Sequence, residues 1–203
     1  SKSEAVNRLS LARFFLFGAR DVWFVVALPV FLHDVLGWDF WQVGGYLAAW
    51  VMIYGMIQAA APKLTGRSQA PDVVGRQLVV FSGCLALTPA AIGVALSYAL
   101  SPVFVVTVGL LIFALLFAMN SALHSFLIVR FARDEGASLD IGFYYMANAA
   151  GRLTGTLLSG AVFLLGGMEA CLWMSCLLVS LAFLTSCKLP LPPRHCVNPV
   201  QSV

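Results

Sequence analysis

The chain has 203 residues, 61% of them hydrophobic and 10% charged, with a mean hydropathy of +0.91. A soluble globular domain averages about 25% charged residues, so the composition excludes an ordinary soluble domain and points to an integral membrane protein. The net charge of +3 is too small to indicate a nucleic-acid partner.

Residues 1–9 are polar and are expected to form a cytoplasmic segment. No small-residue cleavage site follows a short apolar run, so no signal peptide is expected. The chain does not begin with Met, which reads as a fragment or a processed product. Six segments are then long and apolar enough to cross a bilayer, which takes about 20 residues. They run from about Ser10 to Leu36, Trp41 to Pro62, Gln77 to Tyr98, Pro102 to Val129, Ile141 to Leu165 and Glu169 to Cys187. Pro89 sits at the centre of the third and is expected to kink it. These runs lack strand-like alternation, which excludes a transmembrane β-barrel. The expected fold is an all-α membrane protein, a six-transmembrane-helix bundle over residues 10–187. Residues 188–203, rich in Pro and polar side chains from Leu189 onward, read as a disordered cytoplasmic tail.

Charge orients the bundle. Lys2, Arg8, Arg13, Lys63, Arg67, Arg76, Arg130, Arg133, Lys188 and Arg194 fall on one side. The opposite turns, near His33–Phe40, Ala99–Ser101 and Gly166–Met168, hold no Lys or Arg, and Asp34, Asp39 and Glu169 lie at the outer ends. Basic residues collect on the cytoplasmic side, so both termini are expected there. Trp23, Trp38, Trp41, Trp50 and Trp173 mostly lie near span ends, as interfacial aromatics do, and anchoring is the reading for Trp38 and Trp41.

Two basic residues remain, Arg20 in the first span and Arg152 in the fifth. A charge at the membrane centre costs about 2.5–3.5 kcal/mol even on the lenient insertion scale, so such residues usually face a bundle interior or a wet cavity. Tyr145, Asn148 and Arg152 are spaced by three and four and share a helix face, which Ser159 extends. Gly151, Gly155 and Ser159, spaced by four, form a small-residue stripe that lets another helix approach closely. Arg152 offers a planar fork of donors suited to phosphate or carboxylate oxygens; the alternative is an arginine that only holds helices together. Arg20 has Phe17 and Phe24 on its face. Either Arg20 and Asp21 pair locally and neutralise one another, or Arg20 binds substrate while Asp21 bonds elsewhere or exchanges protons. Two arginines against one acid favour an anionic ligand. In the fourth span Phe113, Phe117, Asn120 and His124 share a face. Asn120 is a candidate substrate ligand or interhelical glue. His124 is expected near the cytoplasmic end, as a proton carrier or an interhelical hydrogen bonder.

The five cysteines, Cys84, Cys171, Cys176, Cys187 and Cys196, form no CxxC pair and no zinc spacing, and read as packing residues. No nucleophile elbow, zinc helix or phosphate-binding lysine loop is present, so no enzyme activity and no cofactor are expected. Without an ATP site, pumping must draw on an ion gradient or on the substrate's own.

Six helices with cytoplasmic ends resemble one half of a major facilitator superfamily transporter. Asp72-Val73-Val74-Gly75-Arg76 resembles the D-R-x-G-R/K part of that superfamily's cytoplasmic loop motif, with Val73 in place of its first basic residue. A more specific resemblance, to the ArsJ-type organoarsenical efflux family, rests on Leu11–Leu32, Gly37–Val51, Asn120-Ser121-Ala122-Leu123-His124-Ser125, Gly142–Gly160 and Gly167–Trp173. The stretch from Lys63 to Ser101 resembles the family less distinctively. The resemblance implies the C-terminal half of a twelve-helix transporter of the plasma (inner) membrane, beginning in the central loop and partnered by an N-terminal six-helix half. It implies the small anionic substrate 1-arseno-3-phosphoglycerate, made by a glyceraldehyde-3-phosphate dehydrogenase, and a role in arsenate resistance. Arg20 and Arg152 would then clamp the anionic ends, Asn148 and Asn120 orient the substrate, Tyr145 line the path, and Asp21 or His124 carry a coupling proton. Efflux of another organic anion and a non-transporting membrane protein with structural arginines are the alternatives.

Overall fold

A computed structural model describes residues 3–64, 71–98, 100–132 and 136–190. Lys2, Arg67, Arg133, Arg194, Cys196 and most of the expected tail lie outside them. Among the described residues the regular structure is helical, with no strand. The helices are α1 (Glu4–Phe24), α2 (Ala27–Val30), a π-helical turn (Phe31–Val35), α3 (Phe40–Leu64), α4 (Pro71–Ser97), α5 (Pro102–Phe131) and α6 (Ala137–Cys187). Among them are five helices long and apolar enough to cross a membrane, counting α1 through the π-turn as one.

The expected spans are corrected mainly at the ends expected to be cytoplasmic, where helix continues past the apolar run. α1 starts at Glu4, capped by Ser3, whose side chain accepts from the Val6 N–H at 3.4 Å. α4 starts at Pro71, so the Asp72–Arg76 motif is its first turn. Proline suits a helix start because the N–H it lacks would be unsatisfied there anyway; Pro102 opens α5 in the same way. Inside α4, Pro89 leaves the Leu85 carbonyl without its usual donor. The Thr88 hydroxyl donates to that carbonyl at 2.7 Å, and α4 remains helical from Pro71 to Ser97.

The first expected span is interrupted. Pro29 lacks an N–H and crowds the Val25 carbonyl, and the helix breaks at Val25–Val26. The freed N–H groups of Val26 and Ala27 donate to Ser159 Oγ on α6, at 3.3 and 3.1 Å.

The fifth and sixth expected spans form one 51-residue element, broken by non-helical backbone at Gly166 and Gly167. Gly167 has φ of +64°, in the left-handed region that glycine enters without strain. The element doubles back there. Cys171 Sγ lies 3.8 Å from the Ser159 carbonyl oxygen, twelve residues earlier, a separation that would be about 18 Å along a straight helix.

α1 packs most extensively, along both arms of α6; α4 lies against α6 and α5, and α3 against α5. The α1–α6 approach is backbone to backbone. A Cβ on Gly151 would collide with the Phe14 carbonyl oxygen, and one on Gly155 would stand 2.6 Å from that of Gly18. The glycine stripe is thus where the two helices meet. One core cluster centres on Trp23, which packs edge-on against Trp50 at 5.6 Å and Phe113 at 5.1 Å. Trp50 Nε1 donates to the Leu110 carbonyl at 2.8 Å. Trp23 and Trp50 are therefore core residues rather than interfacial anchors, because both rings are enclosed between helices. Trp41 is exposed and Trp38 half-buried.

Candidate functional site

Charge inside the bundle gathers where α1 crosses the first arm of α6. Asp21 is only 1% exposed and is held by two arginines. Arg20 Nε donates to Asp21 Oδ1 at 2.6 Å, and Arg152 Nε donates to Oδ2 at 3.2 Å from across the helix pair. Neighbouring residues diverge by about 100° on a helix. The long Arg20 side chain still curls back onto Asp21, so the local pair is formed. Gly155 makes the second bond possible. Its missing Cβ would lie 3.0 Å from Asp21 Cβ, so only a glycine there lets the short carboxylate face α6.

Arg20 also lies over the faces of Phe17, Phe117 and Phe24, at 5.0, 5.5 and 6.0 Å from the ring centroids. Ring quadrupoles attract a cation over their faces. Aromatic rings and one carboxylate oxygen thus enclose Arg20, whose side chain is 11% exposed. The Arg152 side chain is 56% exposed. Arg152 therefore offers most of its donor fork outward while Nε stays anchored on Asp21.

Arg13 is the main departure from the sequence reading. Counted there among the cytoplasmic residues, it is 4% exposed and lies inside the bundle. Its Nε donates to Asn148 Oδ1 at 3.2 Å, and its Nη1 donates to the Ser121 carbonyl and hydroxyl oxygens at 3.2 and 3.0 Å. The Phe17 ring lies 4.0 Å from its guanidinium carbon and the Tyr144 ring 5.2 Å. The signal was present: Arg13, Phe17 and Arg20 are spaced by four and three and share a face. Its place near the start of the apolar run hid it, because sequence does not say how far a neighbouring helix overlaps that end.

The remaining candidates divide. Asn148 joins the cluster through Arg13, and Tyr145 is exposed on the outward side of α6 with Arg152. Asn120 faces elsewhere. It is fully buried and its amide donates to Ser82 Oγ on α4 at 2.7 Å, an α4–α5 tie. His124 is fully enclosed, and neither ring nitrogen has a hydrogen-bond partner. Among the described residues, no three His, Cys, Asp or Glu side chains converge to hold a metal ion, and Cys84, Cys171, Cys176 and Cys187 are free thiols.

The arrangement can hold an oxyanion electrostatically. No protein-family model and no curated protein matches this sequence.

Proposed function

We propose that this chain is half of a major facilitator transporter of the plasma (inner) membrane that exports 1-arseno-3-phosphoglycerate and so confers arsenate resistance. On this reading the two arms of α6 are separate spans, giving six, and both termini are cytoplasmic. An N-terminal six-helix half, on the same or another chain, completes the cavity, and a glyceraldehyde-3-phosphate dehydrogenase supplies the substrate.

The observation that carries the reading is the sharing of Asp21 by Arg20 and Arg152, with Arg152 more than half exposed. Two guanidiniums against one carboxylate leave a positive site in an apolar bundle. Arginine's fork matches phosphate and arsenate oxygens. Sites in this kind of fold lie between two halves near the midplane, with rocking about the site giving alternating access. Arg152 and Tyr145 are exposed together on the side such a partner would cover.

Cells expressing the transporter with the dehydrogenase should tolerate arsenate, and omitting either should remove the tolerance. Arg152→Gln should abolish tolerance at unchanged membrane abundance. Tolerance that survives this substitution would remove the clamp. Tolerance independent of the dehydrogenase would indicate a different substrate.

The bonding of Asp21 by both arginines also favours a second reading, in which the arginines only lock α1 to α6. Arg152→Gln would then lower folded yield, and no anion would change thermal stability.

A further inference from the structure

We infer that Tyr54, on α3, is a further ligand-binding residue of the same site, its hydroxyl turning from Ser121 to donate to an oxyanion held at Arg20 and Arg152; this rests on the anion-transport reading above.

Three aromatic side chains set α3 against α5. Tyr46, Trp50 and Tyr54 are spaced by four, so they lie along one helix face. Tyr46 Oη donates to the Thr107 carbonyl at 3.2 Å, and Trp50 Nε1 donates to the Leu110 carbonyl at 2.8 Å. Backbone carbonyls of a neighbouring helix are fixed acceptors, so these two bonds anchor α3. Tyr54 departs from the pattern. Its hydroxyl donates to a side chain, Ser121 Oγ, at 3.5 Å. A hydroxyl donor normally sits about 2.5–3.0 Å from its oxygen acceptor, so this bond is weak. Its loss leaves both anchors in place.

Ser121 does not depend on Tyr54 either. Arg13 Nη1 donates to the same Ser121 oxygen at 3.0 Å, so that oxygen keeps a donor when the Tyr54 proton turns away. The exchange gives up one long neutral bond. It gains a charge-assisted bond, about twice as strong as a neutral one.

Ring contacts place Tyr54 beside the charged cluster. The Phe117 ring packs against Tyr54 at 5.6 Å between centroids, and the Arg20 guanidinium carbon lies 5.5 Å from the centre of that same ring. Tyr54 also stacks on Trp50, at 5.8 Å and an interplanar angle of 10°. These contacts fix the ring, while the O–H remains free to rotate toward a better acceptor. Trp50 is enclosed, whereas Tyr54 is half-buried and so reaches the open side of the bundle. Arg20 and Arg152 supply cations from α1 and α6, and Tyr54 adds a neutral donor from α3. A ligand bound to all three bridges α3, the least buried of the five long helices, to the α1–α6 pair.

The test uses the transporter purified with both halves, titrated calorimetrically with 3-phosphoglycerate. Tyr54→Phe removes only Oη and keeps both ring contacts. It should weaken binding about tenfold or more, the loss expected for a hydrogen bond to a charged acceptor. The melting temperature of the ligand-free protein should not change. Tyr46→Phe removes an anchor instead, so it should lower that melting temperature and leave the affinity unchanged. A second measurement holds whatever Tyr54→Phe does to folding: 3-fluorotyrosine in place of Tyr54 keeps the hydroxyl. Its fluorine NMR signal should shift on adding 3-phosphoglycerate, and should not shift when Arg152→Gln is also present. Unchanged affinity in Tyr54→Phe, or a fluorine signal that does not respond to bound ligand, would overturn the role of Tyr54 and leave the anion site standing. Failure of folded wild type to bind 3-phosphoglycerate would overturn the transport reading and this inference with it.

Discussion

At the residue scale, Asp21 and Arg152 should respond very differently to neutralisation, although they bond to each other. Asp21→Asn strands two guanidiniums against a buried neutral amide. Removing one partner of a buried ion pair typically costs about 3–5 kcal/mol. Arg152→Gln leaves Asp21 still bonded by Arg20, and the Arg152 side chain is more than half exposed, where an ion pair contributes about 1 kcal/mol or less. Denaturation midpoints in one detergent should place Asp21→Asn well below Arg152→Gln. Equal losses would mean that Arg152 is a structural strut. The same contrast separates what Arg152 does for folding from its proposed role toward anions.

At the element scale, the contact between α1 and α6 depends on missing side chains. Gly155→Ala would put a Cβ 2.6 Å from the Gly18 carbonyl oxygen and 3.0 Å from Asp21 Cβ, so either the helices part or the carboxylate shifts. Overpacking of this kind costs about 1–3 kcal/mol. Gly160→Ala, where a Cβ meets nothing within 4 Å, is the control. It should be neutral, or stabilising by up to about 1 kcal/mol from helix propensity. Ser159→Ala removes the acceptor from two N–H groups at the α1 break, and each buried N–H left unsatisfied costs about 1–3 kcal/mol. Melting curves of the three variants would check the order. The glycine stripe was legible in the sequence because its four-residue period is a property of one helix. The tie between Asn120 and Ser82 was not, because pairing between helices depends on their relative register, which one chain's periodicity does not encode.

At the scale of the whole molecule, long apolar runs and short polar turns made the helical bundle readable, and the Gly166–Gly167 turn was visible as a gap between two such runs. Helix ends were less readable. Hydropathy marks where a helix is apolar, and the chain stays helical beyond that wherever caps and packing allow, as before Ser10 and Gln77. The same blurring put Arg13 outside the bundle on paper and inside it in the fold. The candidate site was therefore half legible: Arg20, Asp21, Asn148 and Arg152 converge, while Arg13 was missed and Asn120 lies elsewhere. The central claim is that this converging charge binds an anion. The most direct measurement is the melting temperature of the transporter purified with both halves, with and without millimolar 3-phosphoglycerate, for wild type and for Arg152→Gln. At 100 times the dissociation constant a ligand adds about 2.7 kcal/mol of stability, a shift of several degrees. The account predicts that shift in wild type and its loss in Arg152→Gln; an equal shift in both, or none in wild type, would contradict it.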